Sequence, residues 1–302
     1  MSTANTIGID PAALFAIRDL ELRARVAVEG LWSGLHRSPL EGFSVEFTEY
    51  RNYSPGDDLR YLDWKVLGRT DQEFIKKFED ETNLRCMILV DTSRSMKFTS
   101  GEASKAEYAR TLAATLSYFL LQQRDVFGLG LIDRDLHQFL PARWRPGQFK
   151  RLLSLLSMDC EGKETNLGNG LDQIGKLTPK RSLIIVISDF LSPPEEWEKS
   201  LGQLIAAGHD VRAIQILDSA ELDLEFGKAS QWEDLETEEQ IYIDPNEARS
   251  AYKASFEAHQ LKISRTLEMR GVHHLIAPTN KPLDFVLIDL LRRQPLKGRV
   301  GL

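Results

Sequence analysis

Residues 84–96 read L-R-C-M-I-L-V-D-T-S-R-S-M. Asp91, Ser93 and Ser95 follow the apolar run Met87 to Val90 at alternate positions, so a carboxylate and two hydroxyls leave a strand tip within reach of one point. All three offer hard oxygen. A small divalent cation such as Mg2+ takes oxygen ligands, keeps several waters and needs few protein carboxylates. The competing use of Ser93 and Ser95 is to cap the turn or helix that follows.

Asp-x-Ser-x-Ser after a hydrophobic strand resembles the metal-ion-dependent adhesion site of von Willebrand factor A-type domains. The resemblance implies two further ligands. Thr165, in E-T-N-L-G-N-G-L, matches the family's threonine loop, and Asp189, closing S-L-I-I-V-I-S-D, matches its second aspartate. It implies that Asp91, Ser93, Ser95, Thr165 and Asp189 hold Mg2+, or Mn2+ or Ca2+ in its place, directly or through water. An open position is left for an acidic side chain of a partner. Elementary electrostatics agrees, because an ion held partly by neutral hydroxyls keeps net positive charge and attracts an external anion.

A second pattern lies upstream. E-F-x-x-Y-R-x-Y-x-P-G-D-D-x-R-x-L-D-W-K, followed closely by the D-x-S-x-S strand, resembles the bacterial domain-of-unknown-function family 58 over nearly the whole chain. Members of that family join such an N-terminal module to a von Willebrand A-type domain and are commonly encoded beside MoxR-type AAA+ ATPases. Many carry N-terminal transmembrane helices; this sequence resembles the shorter, soluble branch. The resemblance implies a metal-dependent adaptor of a MoxR-type ATPase, of other von Willebrand A-type proteins, or of both.

Catalysis is the rival reading. An aspartate at a strand end beside Mg2+ suits the aspartyl-phosphate chemistry of phosphohydrolases. Enzymes of the haloacid dehalogenase type, however, place a second aspartate where this chain has Ser93, so the acid/base is missing. The chain also lacks G-x-x-x-x-G-K-[ST], a strand-linked G-x-G-x-x-G and G-x-S-x-G. The expectation is a protein that is not an enzyme. A Mg2+-dependent phosphohydrolase using Asp91, or a scaffold whose metal site is unused, are the alternatives.

To position these oxygens the chain needs a buried parallel sheet. Apolar runs at 87–90, 126–132, 183–187, 211–217 and 274–276 read as strands, with a short edge strand at 136–140 after the Asp133 to Asp135 turn. Between them, helical periodicity covers 103–123, 149–156, the surroundings of Leu171 and Ile174, 195–207, 247–268 and 283–291. That alternation predicts an α/β fold: a Rossmann-like, doubly wound, mainly parallel sheet flanked by helices. Ligands then bind outside the carboxyl ends of the strands, where Asp91 and Asp189 fall.

Residues 1–82 are expected to form an N-terminal helix and a β-rich module, and 83–302 the von Willebrand A-type domain. One helix is expected over 13–31, started by Asp10-Pro11. Phe43, Val45 and Phe47 alternate like a half-buried strand, Ser54-Pro55-Gly56-Asp57 forms a turn, and 73–81 is extended. Arg51, Asp57, Asp58, Arg60, Asp63 and Lys65 read as a charge network with a structural role. The segment 218–247 holds eleven acids against Lys228 alone, and reads as a solvated β-hairpin rather than an acidic element that visits the metal.

Over 302 residues the net charge is −7, which argues against nucleic acid as a partner. No apolar run reaches the roughly 20 residues that span a bilayer, and no signal segment opens the chain, so a cytoplasmic location is expected. Cys86 and Cys160 read as free thiols, and His273-His274 lacks the further ligands of a zinc site.

Overall fold

The computed structural model describes residues 9–37, 50–52, 74–76, 84–158, 165–223, 230–233, 240–243 and 245–292. Contacts divide the chain into two units, residues 1–34 with 84–302, and residues 35–83. The first helices therefore group with the larger unit rather than with the segment that follows them.

β3 (Arg85–Asp91) is the centre of the larger unit, and Cys86 through Asp91 are all buried. It pairs in parallel with β4 (Val126–Ile132) on one side and β6 (Leu183–Ser188) on the other. Beyond β6 lie β7 (Asp210–Leu217) and β10 (His273–Pro278), both parallel; beyond β4 lies the antiparallel edge strand β5 (Leu136–Leu140). Counting only the strands of this sheet, the order is 3-2-1-4-5-6, with the reversal between β3 and β6. This is the expected doubly wound sheet, and the crevice at that reversal is its natural ligand position.

Strand residues alternate between the two faces. Met87, Leu89, Ile184, Val186, Val211 and Ala213 share one apolar cluster with α5 (Leu167–Leu177), α6 (Pro194–Ala206) and α8 (Pro245–Met269). α3 (Lys105–Gln122), whose buried residues lie outside that cluster, packs on β3, β4 and β7. Ser104 caps α3 by accepting the Glu107 N–H at 3.1 Å, which places the helix start two residues later than its apolar pattern implies. α4 (Gln148–Leu156) and α9 (Leu283–Arg292) complete the helices of this body at the positions their periodicity predicts.

The N-terminal pattern is two helices, not one. α1 (Pro11–Phe15) starts at Asp10 as expected, but the chain breaks before α2 (Leu20–Arg37). Asp19 accepts the Leu22 N–H at 2.7 Å and so starts a new helix. Arg23 holds the break open, its guanidinium donating to the carbonyl of Ile17 and to Thr111 Oγ1 at 3.0 Å on α3. Periodicity registers the apolar stripe but not this buried cation, which needs carbonyls from a non-helical stretch.

In the smaller unit, β1 (Tyr50–Asn52) pairs antiparallel with β2 (Phe74–Lys76), so Arg51 lies opposite Ile75. The expected strand at Phe43 to Phe47, the Ser54 to Asp57 turn, the remaining members of the charge network and Cys160 lie outside the described residues. The acidic segment opens with α7 (Ser219–Asp223) and contains the expected antiparallel hairpin of β8 (Ser230–Glu233) and β9 (Gln240–Ile243). Among the described residues, no helix is long and apolar enough to cross a membrane.

Candidate metal centre

β3 delivers Asp91 to the sheet's carboxyl edge, and β6 delivers Asp189 one residue beyond its own end. The Asp91 carboxylate is buried and accepts the Ser93 N–H at 2.9 Å and the Ser188 hydroxyl at 2.6 Å. Thr92 clamps the loop to the neighbouring strand, since its N–H and its hydroxyl both donate to the Ile132 carbonyl, at 2.7 and 2.9 Å.

Ser93 and Ser95 flank the start of a 3₁₀ turn, Arg94–Lys97. Ser93 occupies its capping position, yet its side chain caps nothing. Its Oγ instead lies 3.1 Å from Ser95 Oγ, with both serines buried. The capping alternative weighed from sequence is thus not what the hydroxyl of Ser93 does. Two hydroxyls converge beside a buried carboxylate, in the arrangement the alternate spacing implied.

Asp189 is fixed from several sides. Its backbone carbonyl accepts from Gln215 Nε2 at 2.9 Å, and its Oδ1 accepts the Leu191 N–H at 3.3 Å. The next residue, Phe190, is buried with φ 53°, a conformation that bulky side chains rarely adopt. It is held there by its N–H to Ser188 Oγ at 3.0 Å, by His259 Nε2 3.0 Å from its carbonyl, and by an edge contact with Trp197. Left-handed backbone at Phe190 turns the chain abruptly just after Asp189.

Thr165 reaches the same rim by a different route. Asn166 caps α5 and donates its N–H to the Asp133 carbonyl at 2.9 Å, which pins the start of α5 to the end of β4. Thr165 itself is half-buried, and no hydrogen bond among the described residues engages its hydroxyl. The structure therefore gathers Asp91, Ser93 and Ser95 on one loop, sets Asp189 beside them, and places Thr165 at the adjoining strand end.

One neighbour escaped the sequence reading. Lys105, wholly buried at the first position of α3, donates to Asp189 Oδ2 at 2.9 Å and to Glu221 Oε1 at 2.7 Å. Burial pulls its pKa down, but Asp189 and Glu221 outweigh that and hold it above the ordinary lysine value. A signal existed: a cation in a helix's first turn opposes the macrodipole, so it needs carboxylates from elsewhere. Glu221, within the acidic run expected to be solvated, is turned inward.

Burial raises the Asp91 pKa to about 7, helped by the charge of Asp189 and opposed by the bonds from Ser188 and Ser93. Removal from water is the larger part of that shift and the neighbouring carboxylate the smaller. Three buried carboxyl groups, Asp91, Asp189 and Glu221, gather around one ammonium, that of Lys105. Among the described residues, no group of three or more His, Cys, Asp or Glu is arranged to hold a metal by itself. A cation here would be held by the two aspartates together with hydroxyls and water, which suits a hard ion.

The sequence model of the family described as "Protein of unknown function DUF58" matches residues 49–262. The chain belongs to that family. Its relatives include the Mycobacterium tuberculosis uncharacterized protein Rv1480, 28% identical over 288 residues, 94% of this chain and 89% of that protein. YeaD of Bacillus subtilis is 25% identical over 143 residues, 47% of this chain and 34% of YeaD. Among solved structures, an aerotolerance-related membrane protein from Bacteroides fragilis is 16% identical with a TM-score of 0.44, covering 70% of this chain and all of that one. The SpRpn10 VWA domain is likewise 16% identical, with a TM-score of 0.40 over 72% of this chain and 99% of its own.

Proposed function

We propose that this protein is a metal-dependent protein-interaction module. Asp91, Ser93, Ser95, Thr165 and Asp189 hold a divalent cation, Mg2+ first and Mn2+ or Ca2+ as substitutes, and a partner's acidic side chain completes its coordination. When bound, the ion supplies a positively charged docking point for a carboxylate. The observation that carries this reading is the pair of buried serine hydroxyls, Ser93 and Ser95, facing each other beside the buried Asp91 in the crevice at the sheet's reversal.

The partner class comes from the family resemblance: a MoxR-type AAA+ ATPase, or another von Willebrand A-type protein. A phosphohydrolase reading is weaker. Asp91 would have to attack phosphorus with Ser93 standing where such enzymes carry their acid/base aspartate.

The test is an affinity pull-down of the tagged protein from its own cell lysate, in Mg2+ and in EDTA, with Ser95→Ala as control and mass spectrometry as the readout. Enrichment of an AAA+ ATPase only in Mg2+, and only by the unaltered chain, is the expected result. Identical protein sets in every condition would sink the metal-dependent reading. Turnover of a small phosphoester that vanishes in Asp91→Ala would restore the enzymatic one.

A further inference from the structure

Lys105 is poorly placed for a helix-stabilising residue. It is fully buried, it stands at the positive end of α3, and its ammonium meets Asp189, Glu221 and, 5.8 Å away, the ring of Phe98. A buried ammonium is tolerated only where carboxylates answer it. Asp189 lies on the rim that carries Asp91. Glu221 lies on α7, where its second oxygen accepts the Asp218 N–H at 2.8 Å. Asp218 is itself buried and accepts from Ser100 N at 3.0 Å and Ala220 N at 2.9 Å. Lys105 therefore stands between the candidate metal carboxylates and the first turn of the acidic segment.

We propose that Lys105 sets the affinity of the metal site, as a tethered cation that shares Asp189 with the divalent ion and passes to Glu221 alone when the ion takes Asp189. This rests on the metal reading above. The physics is competition for one carboxylate: an ammonium and a divalent ion on the same oxygens repel each other, so each weakens the other's hold. Glu221 makes the exchange feasible, because it keeps the displaced ammonium paired. The exchange also tightens Lys105 onto α7, so occupancy of the rim is felt where the acidic segment begins.

Isothermal titration of the full chain with Mn2+ tests this, comparing wild type, Glu221→Gln, and the double variant Lys105→Met with Glu221→Gln. In Glu221→Gln the ammonium has only Asp189, and Mn2+ affinity should fall at least about tenfold. The double variant removes the competing cation together with its second partner, and should bind Mn2+ at least about tenfold more tightly than wild type. Hydrogen–deuterium exchange over 219–243 should respond to Mn2+ in wild type and not in the double variant.

Circular dichroism checks the fold of each protein. If the double variant fails to fold, Glu221→Gln alone decides the matter. Affinities within about twofold of one another, with unchanged exchange responses, would overturn the role of Lys105 and leave the metal reading intact. No Mn2+ binding by any of the three would remove the metal reading itself and this inference with it.

Discussion

A carboxyl group titrating near neutrality makes Asp91 a reporter of the site. Its folded pKa, raised to about 7 from an ordinary 3.8, means that the folded chain holds the proton more tightly than the unfolded one. The contribution to stability is therefore full below the unfolded value and is lost as pH rises toward the folded value. In EDTA, the thermal midpoint of wild type should fall more between pH 5 and pH 8 than that of Asp91→Asn. Mg2+ favours the ionised carboxylate, so its stabilising effect should be larger at pH 8 than at pH 5. Equal Mg2+ shifts at both pH values would separate Asp91 from any metal. At this scale, the spacing of Asp91, Ser93 and Ser95 made the clustering of a carboxylate with two hydroxyls legible. Lys105 was not legible, because its partners Asp189 and Glu221 lie 84 and 116 residues away in the chain.

Elements came through where an apolar period was long and unbroken. β4 and β5 have the limits the sequence implied: β4 is buried and announces itself by composition, while β5, a partly exposed edge strand, is marked by the Asp133 to Asp135 turn before it. The break between α1 and α2 did not come through, because Arg23 fits a helical pattern and shows its purpose only against the Ile17 carbonyl and, on α3, Thr111 and Glu107. Close packing between helices is likewise invisible in sequence. Gly168 on α5 approaches α6 so closely that a Cβ there would collide with the Glu196 carbonyl oxygen. Gly168→Ala should therefore cost about 1–3 kcal/mol through overpacking, read as a lower urea midpoint at unchanged slope. Because α5 begins just after Thr165, the same variant should weaken Mn2+ binding. Wild-type stability in Gly168→Ala would mean that α5 and α6 have room to separate.

The larger unit is built outward from one strand, and Cys86 on β3 is its internal probe. The thiol is buried, and burial pushes its pKa well above the ordinary value, so it cannot react while the sheet is closed. In a Cys160→Ser background, labelling of Cys86 by a thiol reagent should follow global unfolding, accelerating with urea along the slope measured by circular dichroism. Fast labelling in native buffer would instead reveal local opening of the central strand. By itself, the sequence determined the alternation of strands and helices, the burial of β3, and the carboxyl-edge position of Asp91 and Asp189, since these follow from local apolar period and composition. Only the tertiary structure decided the sheet order, the inward turn of Glu221 and the burial of Lys105 between two carboxylates. Those depend on which distant segments meet, and a charge that looks solvated in the chain becomes internal only when partners from other elements surround it.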